Sequence, residues 1–302
     1  METFVKRIGE QPLAGIFSLI MVWSSLALGH SLVVLQQATF DMGVVDTVAS
    51  LALGLAGFAL VWIGMSRPEN QATLLGWLGG SLIWCGWFEW TWLYTAHSLD
   101  IQPVLDNGMM ILSGELLMIQ ATTLLVVAIL IFFGANKDTR CRMFMWFHRN
   151  LKLKPPEKMT PGFKRQHARN TAIETVFLIW TIYLFAIYIN DPRGIRYDSI
   201  AAMALTVGFV VWAIYLITKL FKIRGLGPTF RYAIPTANIA WLPVEAFARW
   251  GLYPEIWIKP KEYPVLMGIV LAVYIFGIIA MYRTNSGAST GKSEDRAEPA
   301  VA

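Results

Sequence analysis

Apolar runs long enough to cross a hydrocarbon layer recur along this chain, and they leave few folds open. Runs of about 20 residues with few charges lie near 14–36, 43–65, 72–96, 109–134, 172–190, 198–221 and 264–283. Lipid offers no water to backbone amides, so a spanning run of this length must be helical. A further stretch, Tyr232–Leu252, has the length of a span but carries Glu245 and Arg249. Composition points the same way: the chain is 56% hydrophobic and 15% charged, where a soluble domain carries about 25% charged residues. The sequence therefore reads as all-α, a polytopic transmembrane helical bundle of seven or eight spans. The basic start METFVKRIGEQP precedes about 23 apolar residues without a small-residue cleavage pattern, so it reads as a first span rather than a removed signal.

Orientation follows from the positive charge in short connections. The loop from Lys137 to Arg169 holds ten Lys/Arg against Asp138 and Glu157, and Lys6, Arg7, Arg67, Lys219, Lys222, Arg224 and Arg231 mark the same side. Asp41, Asp46, Asp100, Asp106 and Asp191 mark the other. Eight spans with both termini cytoplasmic satisfy this pattern, in a bacterial or archaeal cytoplasmic or intracytoplasmic membrane. Seven would strand Arg283 and Lys292 outside. The pI near 9.2 needs no nucleic acid, because anionic lipids are sufficient partners for the inner loops. Within the large loop, residues 141–154 alternate aromatics with bases and read as a surface-lying anchor; Pro155, Pro156 and Pro161 break it. The tail 284–302 reads as disordered and cytoplasmic. Its Gly287-Ala-Ser-Thr-Gly-Lys-Ser293 is one residue short of a phosphate loop and lacks a flanking strand, so no nucleotide is expected. Cys85 and Cys141 suggest neither a bridge nor a zinc site.

The stretch Trp241–Pro264 is too polar for a comfortable span and too aromatic for a solvent loop. Glu245 and Arg249 stand one helical turn apart and can pair; Trp250, Tyr253 and Trp257 have the character of a membrane boundary; Glu255, Lys259, Lys261 and Glu262 are expected in water. With the topology above, His30, Asp46, Glu89, His97, Glu115, Asp198 and Glu245 all fall within a few turns of the outer surface. Charged groups in a span usually face an interior and have partners. Such a layer can bind metal, relay protons or admit a cation, or its carboxylates can be bonded through Gln120, Thr122 or Arg249. Trp84, Trp87, Trp90 and Trp92 surround Glu89 as a cation cage or, spread around the helix, as packing and anchors. Cys85 and Glu89 share a helix face and make a weak pair of ligands.

Residues 86–103, GWFEWTWLYTAHSLDIQP, resemble the first helix and loop of the C subunit of the copper-containing membrane monooxygenases, which act on methane, ammonia and short alkanes. That family has an aromatic-Glu pair, an aromatic-rich turn and an Asp-containing loop ending in Pro. Glu115 falls at its Thr-Glu; Lys137-Asp-Thr-Arg140 is similar to its basic turn; Met159-Thr-Pro161 with Arg165 and Arg169 resembles its Thr-Pro-Arg-Glu; Ile195-Arg-Tyr-Asp198 resembles the start of its metal-bearing helix. Glu245, Trp250, Glu255-Ile-Trp257, Pro260 and Tyr263 align on its Asn-Glu-Trp-Gly-His to Pro-Leu-His segment. The resemblance covers 80–283 as a C-subunit-like bundle, with 1–79 an N-terminal segment of two added helices.

The resemblance implies copper, an A-type membrane subunit, a periplasmic B-type subunit and hydroxylation of a small substrate by dioxygen. The helix after Asp198 lacks the family's two His, and Val244, Ala248 and Glu262 stand at its Asn and two His positions. An altered metal set of Asp198, Glu245 and Glu262 is the expectation, with Arg249 neutralising Glu245. A non-catalytic structural or assembly subunit and a proton-coupled transporter are the rival readings.

Overall fold

The computed structural model describes residues 7–40, 42–106, 108–132, 152 and 160–284. The segment 141–154 apart from Lys152, together with Pro155, Pro156 and the tail beyond Thr284, lies outside the described residues. Helices α1 (Leu13–Phe40), α2 (Val44–Gly64), α7 (His167–Asn190), α8 (Ile200–Leu220) and α10 (Pro264–Arg283) are each long and apolar enough to cross a membrane. The chain is thus a membrane-embedded, all-helical protein with five such helices among the described residues.

The other expected spans take more broken forms. Residues 72–96 lie in a helix built from α3 (Glu69–Ile83), a π-helical turn (Trp84–Glu89) and α4 (Trp90–Ser98). The stretch 109–134 begins with the second strand of a hairpin, β1 (Val104–Asp106) against β2 (Met109–Leu112), the only sheet among the described residues. Two short helices come next, α5 (Gly114–Ala121) and α6 (Thr123–Phe132). Helix α9 (Leu226–Arg249) contains Pro235 and Pro243, each removing one amide donor. Local chemistry sets several starts. Ser113 and Ser199 accept from the Leu116 and Ala202 amides and cap α5 and α8, and Pro264 occupies the first turn of α10, where its missing N–H costs nothing.

Helix α3 is held between α2 and α7 by two glycine faces. A Cβ on Gly79 would stand 2.5 Å from the Gly57 carbonyl oxygen of α2, and one on Gly76 would collide with the Ala168 carbonyl oxygen of α7. In lipid, where apolar burial drives little association, such close backbone approach is what packs helices. One core joins both ends of the sequence: Ile8, Met21 and Val22 meet Trp77, Leu178, Phe230 and Met281. The division placed at residue 79 falls inside α3.

Contacts between connections sort the helix ends into two sets. At one end Gln11 Nε2 donates to the Leu220 and Ile223 carbonyls (3.2 and 2.8 Å), Arg231 pairs with Glu69 at 2.6 Å, and Gln71 reaches the Tyr282 carbonyl. At the other, Arg196 meets Asp106 at 3.1 Å, Trp250 Nε1 donates to the Tyr197 carbonyl at 2.8 Å, and Arg249 reaches the Ile111 carbonyl at 3.5 Å. The loop after α9 does not simply run out into solvent. Trp257 is buried and packs on Trp241, ring centroids 4.8 Å apart, and its carbonyl accepts from Ser31 of α1. Lys259, Lys261 and Glu262 are exposed as expected.

Candidate functional site

The polar side chains of the bundle collect around His30 of α1. Its Nε2 lies 3.2 Å from Glu245 Oε1, and Trp241 Nε1 donates to the same oxygen at 2.6 Å. Trp241 and Glu245 are one turn apart on α9, so a single helix supplies the carboxylate and the donor that orients it. The imidazole is stacked between Tyr183 and Trp241, with centroids at 6.1 and 6.2 Å and interplanar angles of 25° and 14°. On the far side, Tyr183 of α7 donates its hydroxyl to Glu89 Oε1 at 3.1 Å. Glu89 is 5% exposed and closes the π-helical turn, whose extra residue rotates α4 relative to α3; such turns occur frequently at functional sites. Glu115, at the start of α5, interacts electrostatically with both Glu89 and His30. Five elements thus bring His30, Glu89, Glu115, Tyr183, Trp241 and Glu245 to one centre.

This centre draws together His30, Glu89, Glu115 and Glu245 from the expected layer and leaves the rest elsewhere. Asp46 is 2% exposed in a separate site, where Gln36 Nε2 donates to Oδ1 at 2.6 Å and Trp90 Nε1 to Oδ2 at 3.1 Å. Gln36 also bonds Ser50. His97 is exposed at the end of α4. The expected bridging partners are engaged differently: Gln120 donates to Asp191 at 2.9 Å, and Thr122 accepts from Trp180 at 2.8 Å. Arg249 is exposed and interacts with Glu245 only at electrostatic range. Histidine, not arginine, contacts the Glu245 carboxyl, because Arg249, in the last turn of α9, reaches the Ile111 carbonyl of the hairpin. The tryptophans do not close a cage around a cation. Trp84 and Trp92 pack with Phe88, Trp180 and Tyr183; Trp90 serves Asp46; Trp87 bonds the Leu51 carbonyl. Cys85 lies beside Asp46 in a small pocket with Gln36, Gln37 and Trp90.

The metal set read from the sequence is not assembled. Asp198 accepts from Nε and Nη2 of Arg196 at 3.0 Å each, which keeps its carboxyl below the usual range. Glu262 faces Lys259 at 3.6 Å on the surface, and Glu245 belongs to His30. Among the described residues no group of three His, Cys, Asp or Glu side chains is arranged to hold a metal ion. Asp198, Glu245 and Glu262 each face a different basic side chain, Arg196, His30 and Lys259.

Other polar groups at this end of the bundle are structural. Asp191 receives the backbone and guanidinium of Arg193 together with Gln120, and these donors hold its carboxyl well below its ordinary value. Partial burial pushes the Glu255 carboxyl up, with Arg249 opposing. Sequence reasoning missed Tyr183 and Gln36, since a lone Tyr or Gln in an apolar run carries no local sign of its partner. Compared with protein-family models, curated proteins and solved structures, the chain matches none of them.

Proposed function

We propose that this chain is an eight-span membrane subunit similar to the C subunit of the copper membrane monooxygenases, contributing scaffold and a proton-handling polar centre in place of a metal cage. The observation that carries this reading is spatial. The segments holding the resemblance, 86–103, 195–198 and 245–263, converge at one end of the bundle through Trp250 on Tyr197 and through Arg196 on the hairpin that comes after Pro103. The alternation of helix ends supports eight passes, counting α3–α4, α5–α6 and α9 as spans with the five apolar helices. In a complex of this kind, partners resembling the A-type and B-type subunits carry the copper, and the assembly hydroxylates a small apolar or ammonia-like substrate with dioxygen. Within this chain, His30 faces the Glu245 carboxyl at 3.2 Å and Tyr183 keeps Glu89 hydrogen-bonded, so protons can be stored and moved beside a reaction that consumes them.

Gentle extraction from the native membrane tests this. Two further subunits should co-purify, with copper in the complex and none retained by this chain once the subunits are separated. A chain that purifies alone would overturn the reading. It would leave proton-coupled transport, which the grouping of carboxylates and histidine from separate helices favours independently.

A further inference from the structure

A small open cleft with room for about one water molecule lies between α7, α8 and α9, and Glu245 forms part of its wall together with Asn190, Tyr197, Ala202, Thr206 and Trp250. Glu245 stands four residues before the end of α9, about 6 Å along the helix axis. Its side chain nevertheless keeps 27% of its surface accessible, and that of His30 23%. Both hydrogen-bonding neighbours of Glu245, His30 and Trp241, fall on Oε1, which leaves Oε2 to accept from water. Asn190 spends its amide nitrogen on the Ala186 carbonyl, and Thr206 its hydroxyl hydrogen on the Ala202 carbonyl; both keep acceptor oxygens on the cleft wall. A water held in a protein needs two to four polar partners, and this wall supplies them.

We propose that this cleft is a water-filled access path by which Glu245 exchanges protons with the solvent, and that His30 relays them inward to Glu89 and Glu115. The inference rests on the proton-handling reading of the same centre and adds its route. A hydrated proton in the cleft protonates the Glu245 carboxylate. Glu245 passes that proton to Nε2 of neutral His30, and the imidazolium formed releases one from its other nitrogen to the Glu89 carboxylate. Each step moves one proton and no electrons. Stacking between Tyr183 and Trp241 fixes the plane in which the two ring nitrogens point. The titratable groups acting on this relay are His30 from α1, Glu89 from the π-helical turn, Glu115 from α5, Tyr183 from α7, Arg249 from α9 itself, and Tyr253 and Glu255 from the loop beyond.

Two measurements on the full chain in phosphatidylcholine–phosphatidylglycerol vesicles test it, with Cys85→Ser and Cys141→Ser as background. First, Ala186→Cys and Ala246→Cys, both half-buried on the cleft wall, are compared with Val207→Cys, 62% exposed on α8. The reagent is a charged, water-soluble methanethiosulfonate, which reacts with thiolate in water and not in hydrocarbon. The cleft cysteines should react at least tenfold faster than Val207→Cys; equal rates would overturn the access path. Second, dicyclohexylcarbodiimide, which adds to protonated carboxylic acids in apolar surroundings, is applied across pH and its adducts mapped by mass spectrometry. It should modify Glu89 or Glu115, and His30→Gln should change the pH dependence of that adduct. An unchanged profile would overturn the relay. No adduct on any carboxylate of the centre at any pH would overturn the underlying proton-handling reading as well, whatever the cysteines show.

Discussion

Asp46 and Glu245 are both carboxylates inside the helical bundle, and they are held in opposite ways. Asp46 is 2% exposed, with one neutral donor on each oxygen, Gln36 on one and Trp90 on the other. Glu245 has a titratable base for a partner, both its bonds on one oxygen, and a side chain 27% exposed. Burying a charge is costly unless it is paired and hydrogen-bonded, and both sites meet that requirement. What separates them is what remains free. A buried carboxylate with both oxygens engaged ties α1, α2 and α4 together. One with an open oxygen and a histidine behind it can change protonation state without dismantling its surroundings.

The largest effect should come from His30→Leu, which removes the basic partner of the Glu245 carboxyl. A loss of roughly 3–5 kcal/mol is expected, read as a fall in melting temperature of the detergent-solubilised protein. A small change would put Glu245 in the same class as Asp46. Trp90→Phe removes one donor from the buried Asp46 and should cost about 2 kcal/mol; recovery of that loss by Asp46→Leu would confirm that the aspartate acts only as a tie. Tyr183→Phe takes the hydroxyl from Glu89 and should cost about 1 kcal/mol, with the larger consequence in carbodiimide labelling of Glu89 rather than in melting.

Arg249→Ala is expected to shift stability by no more than about 0.5 kcal/mol, because its side chain is exposed and Glu245 has His30. A loss several times larger would restore arginine as the partner and break the contrast with Asp46. The smallest effect belongs to Asp191, which Arg193 and Gln120 hold below the usual carboxylate range. A carboxyl depressed on folding stabilises fully above its unfolded pKa of about 3.9, and that contribution is lost as pH falls toward the folded value. Acid unfolding below about pH 4 should therefore be less steep in Arg193→Ala than in the parent chain. The difference should be slight, since Arg193 is 55% exposed.

The membrane class and most helix positions were legible because length and apolarity are properties of single segments. The expected run 264–283 coincides with α10, and 198–221 brackets α8 closely. The hairpin at 104–112 was signalled by Asn107-Gly108, a strong turn pair, yet the apolar residues after it drew that stretch into a span. The centre itself was legible only as a set of residues at a similar depth. His30 and Glu245 are 215 positions apart, and nothing in either neighbourhood encodes their meeting. Arg249, by contrast, stood at the ideal local spacing and proved the wrong partner. Local spacing says which groups can pair, while the packing of α1 against α9 decides which do. Asp198 and Glu262 illustrate the same limit: their types suit a metal, but Arg196 and Lys259 sit two and three residues away and reach them first.

The most direct test of the central pairing is a double-mutant cycle on the thermal stability of the full chain, using His30→Leu, Glu245→Gln and the two combined. If His30 and Glu245 form one unit, Glu245→Gln should recover most of what His30→Leu loses, with a coupling of more than about 1 kcal/mol. Strictly additive losses would contradict the pairing and, with it, the polar centre on which the proposed role of this chain depends.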